Sequence, residues 1–340
     1  MKKNNALLLL SPDLRKKIKK VSQPHFIKPM LATLTKTYFA SDDWIFEHKF
    51  DGVRCVVIKK GTDVKLFSRN ENLLNVEYPE IVKALEKQKA TNFVVDGEII
   101  AVNKKGVSDF QMLQSRMNLK DHHRITEHTK LLPVSIHIFD VMYVDGYDVT
   151  HLPLLDRKKI LKKLLSYNAT IQCTEFKSGN GIAMYKRACK NKWEGLIAKK
   201  SDSIYELRRS KNWLKFKCAQ GQELVIAGFS DSRGQRTDFG ALLVGYYKDG
   251  ALQYAGKVGT GFSQETLTML GKKMRALEIK KCPFADYDGP TTGIHWIKPK
   301  LVAEFQFAQW TNAGKLRVGR YKGLREDKKA HEVIREVAKI

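Results

Sequence analysis

Residues 47–54 read Glu47-His48-Lys49-Phe50-Asp51-Gly52-Val53-Arg54, a polar island between two apolar runs. A lysine amine attacks an electrophile only when deprotonated, and burial or a neighbouring cation is what lowers its hold on the proton. Lys49 falls where a predicted strand ends, Asp51-Gly52 supplies the turn after it, and Arg54 brings a second cation close by. The grouping suits covalent catalysis by an amine. The same residues also read as a hairpin with ordinary exposed charges, because Asp-Gly is a common turn pair. Further along, Lys215 and Lys217 alternate about Phe216, so in a strand both face one side and can hold a phosphate together. Familiar nucleotide loops are missing: no Gly-Lys-Ser/Thr phosphate loop occurs, and Gly256-Lys257-Val258-Gly259-Thr260-Gly261 lacks the spacing of a dinucleotide fingerprint.

The elements around these residues follow from apolar patterning. Trp44 to Ser68 reads as hairpins, with Val53 to Ile58 and Val64 to Phe67 as strands, and a helix is expected near Val76 to Gln88. Phe93 to Val102 and Pro133 to Val144 read as buried strands, separated by a helical stretch around Ser108 to Asn118. Asp156 to Ser166 and Gly181 to Lys192 have helical spacing, and Leu196 to Ala198 and Trp213 to Phe216 read as short strands. This irregular interleaving predicts an α+β domain. After Ala219 to Gln222 the pattern changes to closely spaced strands, Leu224 to Phe229, Ala241 to Tyr247, Leu252 to Val258 and Leu301 to Phe307, with one helix over Gln264 to Leu277. That is the pattern of a small oligonucleotide-binding β barrel, the OB-fold. The expected division is a basic N-terminal arm over 1–24, an α+β domain over 25–220 and the barrel over 221–340. A helical stretch is expected to run to Ile340.

Charge points to the partner. The formal net charge is +25, and neutralising phosphates with such a surface releases counterions, so a polyanionic partner is expected; a basic ribosome-associated or merely well-solvated protein is the other reading of the charge. The apolar run Ala6 to Leu10 is too short for a secretory h-region, and nothing approaches a membrane span. The five cysteines are scattered, without a CxxC pair or a histidine at ligand spacing, so they are expected to be reduced core residues of an intracellular protein.

Lys49-x-Asp51-Gly52-x-Arg54 matches the KxDGxR signature of the covalent nucleotidyltransferases: ATP-dependent DNA ligases, RNA ligases and mRNA-capping enzymes. Ser68-Arg69-Asn70, Asp96-Gly97-Glu98, Phe139-Asp140, Glu194-Gly195-Leu196-Ile197, Lys215-Phe216-Lys217 and Arg325-Glu326-Asp327-Lys328 follow in that superfamily's order. Phe26 to Ala32, Phe110 to Arg116, Gly240 to Gly261 and Leu316 to Lys328 further resemble the ligase module of bacterial ligase D. His48 and Phe50 stand where isoleucine and tryptophan are more usual.

The resemblance implies a nucleotidyltransferase domain followed by an OB-fold, and an ATP-dependent DNA ligase that seals 5′-phosphate/3′-hydroxyl breaks through a lysyl-AMP. In it Lys49 is the nucleophile in the turn made by Asp51. Arg54, Lys215 and Lys217 hold the α-phosphate. Glu47 meets the adenine amino group, and Phe139 and Ile197 flank the base. Glu98 reads ribose or metal, and Glu194 orients Mg²⁺ or Mn²⁺, as hard oxygen ligands do. Arg69 reads the 5′-phosphate of the nick, a task suited to a bidentate fork. Arg325, Asp327 and Lys328 orient the β- and γ-phosphates, which implies a barrel that closes over the nucleotide and later swings away. The implied setting is a monomer in the cytoplasm, at the nucleoid, acting on nicked or broken duplex DNA with Ku and with separate end-processing enzymes, since 340 residues leave no room for polymerase and phosphoesterase domains. An RNA ligase, a capping guanylyltransferase and a non-enzymatic DNA-end-binding factor are the competing readings.

Overall fold

The computed structural model describes residues 5–336 apart from 115, 118–121, 219, 233–237 and 312. The chain divides into a unit of residues 1–218 with 338–340 and a second unit of residues 219–337. In the first unit the strands that matter are β1 (Leu31–Leu34), β2 (Ser41–Lys49), β3 (Val53–Lys60), β4 (Asp63–Ser68), β5 (Asn92–Ile100), β6 (Ser135–Val144), β7 (Phe176–Gly179), β8 (Gly195–Lys200) and β9 (Arg209–Lys217). One sheet contains the run β6-β5-β3-β4, with β4 at its edge. The other runs β7-β2-β8-β9-β1.

The apolar run of β3 has a physical reason. Val53, Cys55 and Val57 enter the large core under the helices, while Val56 and Ile58 enter a second core with Met30, Phe139, Met142, Tyr205 and Trp213. Both faces are covered, so alternation disappears, and Arg54 shares the face of Val56. Of the helices, α1 (Pro79–Glu86) buries Ile81 and Leu85 in the large core. Helix α2 (Leu154–Leu164) adds Ile160, Leu161 and Leu164 to it. Helix α3 (Gly181–Lys190) backs the second sheet through Ala188, against Phe46, Leu196, Ala198 and Phe216. The structure also has a helix over His122–Leu131 that the sequence pattern did not announce; its mean hydropathy is low and its apolar face narrow.

Three expectations change. The N-terminal segment is not a free arm: Ala6 and Leu10 are buried in the large core, and Lys19 and Lys20 pair with Asp148 and Tyr147 as an edge strand. Lys2 and Lys3 lie outside the described residues, as does Ser115. Nor are all cysteines reduced. Cys189, in the last turn of α3, and Cys218, just past β9, form a disulfide with Cα atoms 5.1 Å apart; distance along the chain gives no sign of this contact. Cys55, Cys173 and Cys282 are free thiols. The C-terminal helix is absent from the described residues: a 3₁₀ turn over Ala330–Glu332 leads to a bridge between Ile334 and Tyr247, and residues 337–340 lie outside them.

The second unit is antiparallel: β10 (Gln220–Ser230), β11 (Leu242–Lys248), β12 (Ala251–Val258), β13 (Ile294–Phe307) and β14 (Arg320–Leu324), paired β12-β11-β10-β13-β14. Tyr321 N–H donates to Thr260 O at 2.9 Å, which links β14 back to the end of β12 and closes the sheet towards a barrel. Helix α4 (Gln264–Arg275) contributes Leu267, Leu270 and Met274 to its core. Among the described residues no helix is long and apolar enough to cross a membrane.

Candidate active site

Strand register assembles the site. In an antiparallel pair, residues directly opposite point to the same face. Glu47 of β2 stands opposite Ile197 of β8, which stands opposite Lys215 of β9; Lys49, Gly195 and Lys217 form the next row. Five of the predicted site residues thus share one face of this sheet. Gly195 is required there: its φ is +151°, and a Cβ would lie 1.9 Å from the Phe216 carbonyl oxygen. The close approach sets Glu194 beside the end of β2. Lys49 Nζ and Glu194 Oε2 are 2.5 Å apart, with side chains 18% and 23% exposed. Burial alone would raise the Glu194 carboxyl, but Lys49, Lys217 and Lys215 outweigh it and hold it below the usual range. A carboxylate with three lysines around it, on a half-buried face, is a place for a polyphosphate.

The opposite sheet supplies Arg54 and Glu98, neighbours in register on β3 and β5. Arg54 grips Asp96 with Nε at 2.6 Å from Oδ1 and Nη2 at 2.5 Å from Oδ2, and Nη2 also donates to Met30 O at 3.0 Å. Its guanidinium lies 4.7 Å from the Phe139 ring centre. Arg54 is therefore paired with Asp96 rather than sharing a charge cluster with Lys49. Asp51 plays a building role: its Oδ2 accepts from Phe110 N–H at 3.3 Å, tying the turn after Lys49 to the start of the helix Phe110–Leu113. Gly52 lets that turn lie against the sheet, since a Cβ would meet Ile99 O at 2.3 Å. Arg69 follows Ser68, the register partner of Cys55, at the head of a loop in which Ser68 Oγ accepts from Asn70 and Asn72 N–H.

Glu47 is buried between two lysines. Lys158 of α2 pairs with Oε1 and Lys199 of β8 lies 2.7 Å from Oε2. Lys199 Nζ also sits 4.3 Å from the Phe139 ring centre and 4.0 Å from that of Trp213. Burial lowers the Lys199 ammonium to about 8, with Lys158 adding to the effect and Glu47 and Asp140 opposing it. The Phe139 ring, expected beside adenine, is thus bordered by Arg54 and Lys199. Sequence reasoning passed over Lys158 and Lys199, although Lys199 is two residues from Ile197 and period-2 alternation places both on one face. It also passed over Tyr205 and, where isoleucine and tryptophan are more usual, gave no role to His48 and Phe50. They form a stack: Trp193 on His48 at 4.0 Å, His48 on Phe50 at 4.3 Å, Phe50 on His137 at 4.3 Å. Burial lowers both imidazoles to about 4, so at neutral pH the column is an uncharged wall beside the nucleophile.

Arg325, Asp327 and Lys328 lie in the second unit and are organised there among themselves. Arg325 Nε and Nη2 each donate to Asp327 at 2.9 Å, and Lys328 Nζ is 3.0 Å from Glu223. Burial would raise the Asp327 carboxyl; Arg325 and Lys328 more than offset it and keep it low. Among the described residues no three histidine, cysteine or carboxylate groups converge as an all-protein metal cage. The donor set still suits a magnesium-type ion, which keeps waters and binds through one or two carboxylates plus substrate phosphates. Glu98, opposite Arg54, and Glu194, beside Lys49, are the carboxylates that would supply its protein oxygens.

Residues 29–217 match the ATP dependent DNA ligase domain family, and residues 235–328 match the ATP dependent DNA ligase C terminal region. The multifunctional non-homologous end joining DNA repair protein LigD of Mycobacterium tuberculosis is 36% identical over 327 residues, 94% of this chain and 41% of that protein. LigD of Pseudomonas aeruginosa is 32% identical over 93% of this chain and 37% of its own length. A DNA ligase of Thermococcus fumicolans is 33% identical over 84% of this chain and 52% of its own. The chain therefore spans about two-fifths of the LigD proteins it matches. Among solved structures, mycobacterial DNA ligase D complexed with ATP and MES superposes with a TM-score of 0.66 at 34% identity, covering 91% of this chain and 98% of that one.

Proposed function

This chain belongs to the ATP-dependent DNA ligase family, and from that premise we propose that it seals 5′-phosphate/3′-hydroxyl breaks in duplex DNA through an adenylate on Lys49. The observation that carries the reading is the Lys49–Glu194 contact beside Lys215 and Lys217. The Lys49 amine attacks the α-phosphorus of ATP and pyrophosphate leaves; AMP then passes to the 5′-phosphate, and the 3′-hydroxyl displaces it. Activation by AMP replaces a very poor leaving group with a good one. Glu194, kept ionised by the lysines, orients the amine, while Lys215, Lys217 and Arg54 steady negative charge on the transferring phosphorus. Glu47, oriented by Lys158 and Lys199, faces the base with Phe139 and Ile197; Arg69 takes the 5′-phosphate of the nick. Arg325, Asp327 and Lys328 serve the β- and γ-phosphates. A divalent ion held by Glu98 and Glu194 would supply charge neutralisation of the phosphates.

The names of the LigD relatives support a role in end joining; a Ku-type end-binding protein is the partner that this reading adds to them. The test is to incubate the purified chain with α-labelled ATP and Mg²⁺, then chase with nicked duplex. Covalent label that moves to DNA and disappears on sealing is the expected result. Label from GTP but not ATP, or sealing of RNA alone, would replace this reading, and DNA binding without any label would end it.

A further inference from the structure

Arg54 stands on one sheet of the first unit and Lys49 on the other, yet both must meet the same phosphorus. What holds the two sheets in step at this point is a closed ring of hydrogen bonds. Arg54 donates to both Asp96 oxygens and to Met30 O. The Tyr205 hydroxyl donates to Asp96 Oδ2 at 2.5 Å and accepts from Met30 N–H at 3.0 Å. Arg54 and Asp96 belong to β3 and β5; Met30 immediately precedes β1, and Tyr205 lies in the connection between β8 and β9. Apart from the guanidinium the bridge is made by buried residues: Met30 and Asp96 are 0% exposed and Tyr205 is 3% exposed.

We propose that Tyr205 is a positioning residue for nucleotide activation: by closing the ring Arg54–Asp96–Tyr205–Met30 it fixes one sheet against the other and aims Arg54 at the phosphate that Lys49 attacks. The inference rests on the reading of Lys49 as the adenylylated residue. A phenol suits the task because one oxygen serves as donor and acceptor together. Burial and the neighbouring Asp96 push its ionisation well above the ordinary value, so the donated proton stays in place. Edge-on packing of the ring against Trp213, 5.7 Å between centres, keeps the hydroxyl from swinging away. Tyr205→Phe would keep that packing, strand the buried Met30 N–H and leave Asp96 held by Arg54 alone.

The experiment measures lysyl-adenylate formation by rapid quench in wild type and Tyr205→Phe at a temperature well below both melting points. The maximal rate at saturating ATP is expected to fall about tenfold to a hundredfold, the range that a misplacement of order 1 Å produces, with the half-saturating ATP concentration changed less. Tyr167→Phe is the structural control, since Tyr167 too has a part-buried hydroxyl that donates a hydrogen bond, to Leu161 O at 2.5 Å, without touching Arg54. A maximal rate in Tyr205→Phe equal to wild type, or an equal loss in Tyr167→Phe at matched stability, overturns the proposal. Should Tyr205→Phe fail to fold, Asp96→Asn must show the same split, and an unchanged maximal rate there is equally fatal. Absence of label in the wild type itself would instead remove the lysyl-AMP reading.

Discussion

Replacing Lys199 with methionine tests the buried charge cluster behind Glu47 through its pH dependence. Lys199 is 1% exposed, and its ammonium is lowered from the usual 10.5 to about 8 by burial, with Glu47, Lys158 and Asp140 as the charged groups facing it. Between those two values the unfolded chain holds a proton that the folded chain has released. Stability from this group therefore rises with pH across that window. The shift corresponds to about 3 kcal/mol of lost stability at pH 7, of which about 2 to 3 kcal/mol is recovered by pH 10. Lys199→Met has no such group, and its methylene chain retains the packing against Phe139 and Trp213. The assay is urea unfolding of both proteins from pH 7 to 10, with the difference between them cancelling the titrating groups outside the Glu47, Lys158 and Asp140 cluster. A difference that stays flat would refute the reasoning, and one that moved in favour of the methionine variant would reverse its sign. Glu47 keeps Lys158 as a partner in the variant, so the folded state should survive.

Lys49→Ala and Lys49→Arg should both abolish labelling by ATP, since a guanidinium stays protonated; label in either variant, seen on a gel, would remove Lys49 from the mechanism. Asp327→Ala should lose most self-adenylylation yet seal a nick carrying a pre-formed 5′-adenylate at low temperature, whereas Glu194→Ala should impair both assays. Breaking the buried Arg325–Asp327 pair also costs about 3 to 5 kcal/mol, so thermal melts must accompany the comparison, and equal damage to both steps would mark Asp327 as structural. Nicked-duplex affinity should fall steeply across a salt series, and a flat log–log plot would mean the charge of +25 serves something else. Cys218→Ser, which opens the disulfide across 29 positions, should lower unfolding free energy by about 3 to 4 kcal/mol from loop entropy, matched by reductant on the wild type; insensitivity to reductant would count against a formed bond.

Much of the candidate site was legible because its charged side chains fall in short local runs. Lys49, Asp51, Gly52 and Arg54 lie within six residues of one another, and Lys215 and Lys217 alternate about Phe216, so both groups leave patterns only a few residues long. Strands were legible where runs such as Val53 to Ile58 are buried on both faces. The change near 220 was visible because strand spacing changes with the kind of sheet being built.

Tertiary structure decided what those residues touch. No pattern in the chain says that Lys49 pairs with Glu194 while Arg54 pairs with Asp96, because each pair joins strands whose register is set by core packing. The same holds for Lys158 and Lys199 on Glu47 and for Tyr205 on Asp96, residues from α2, β8 and the connection after it. The Cys189–Cys218 bond and the docking of Ala6 and Leu10 depend on which helix covers which sheet. Local sequence specifies the chemistry a side chain can perform, whereas its partner, burial and charge state are properties of surfaces that meet only after the sheets have packed.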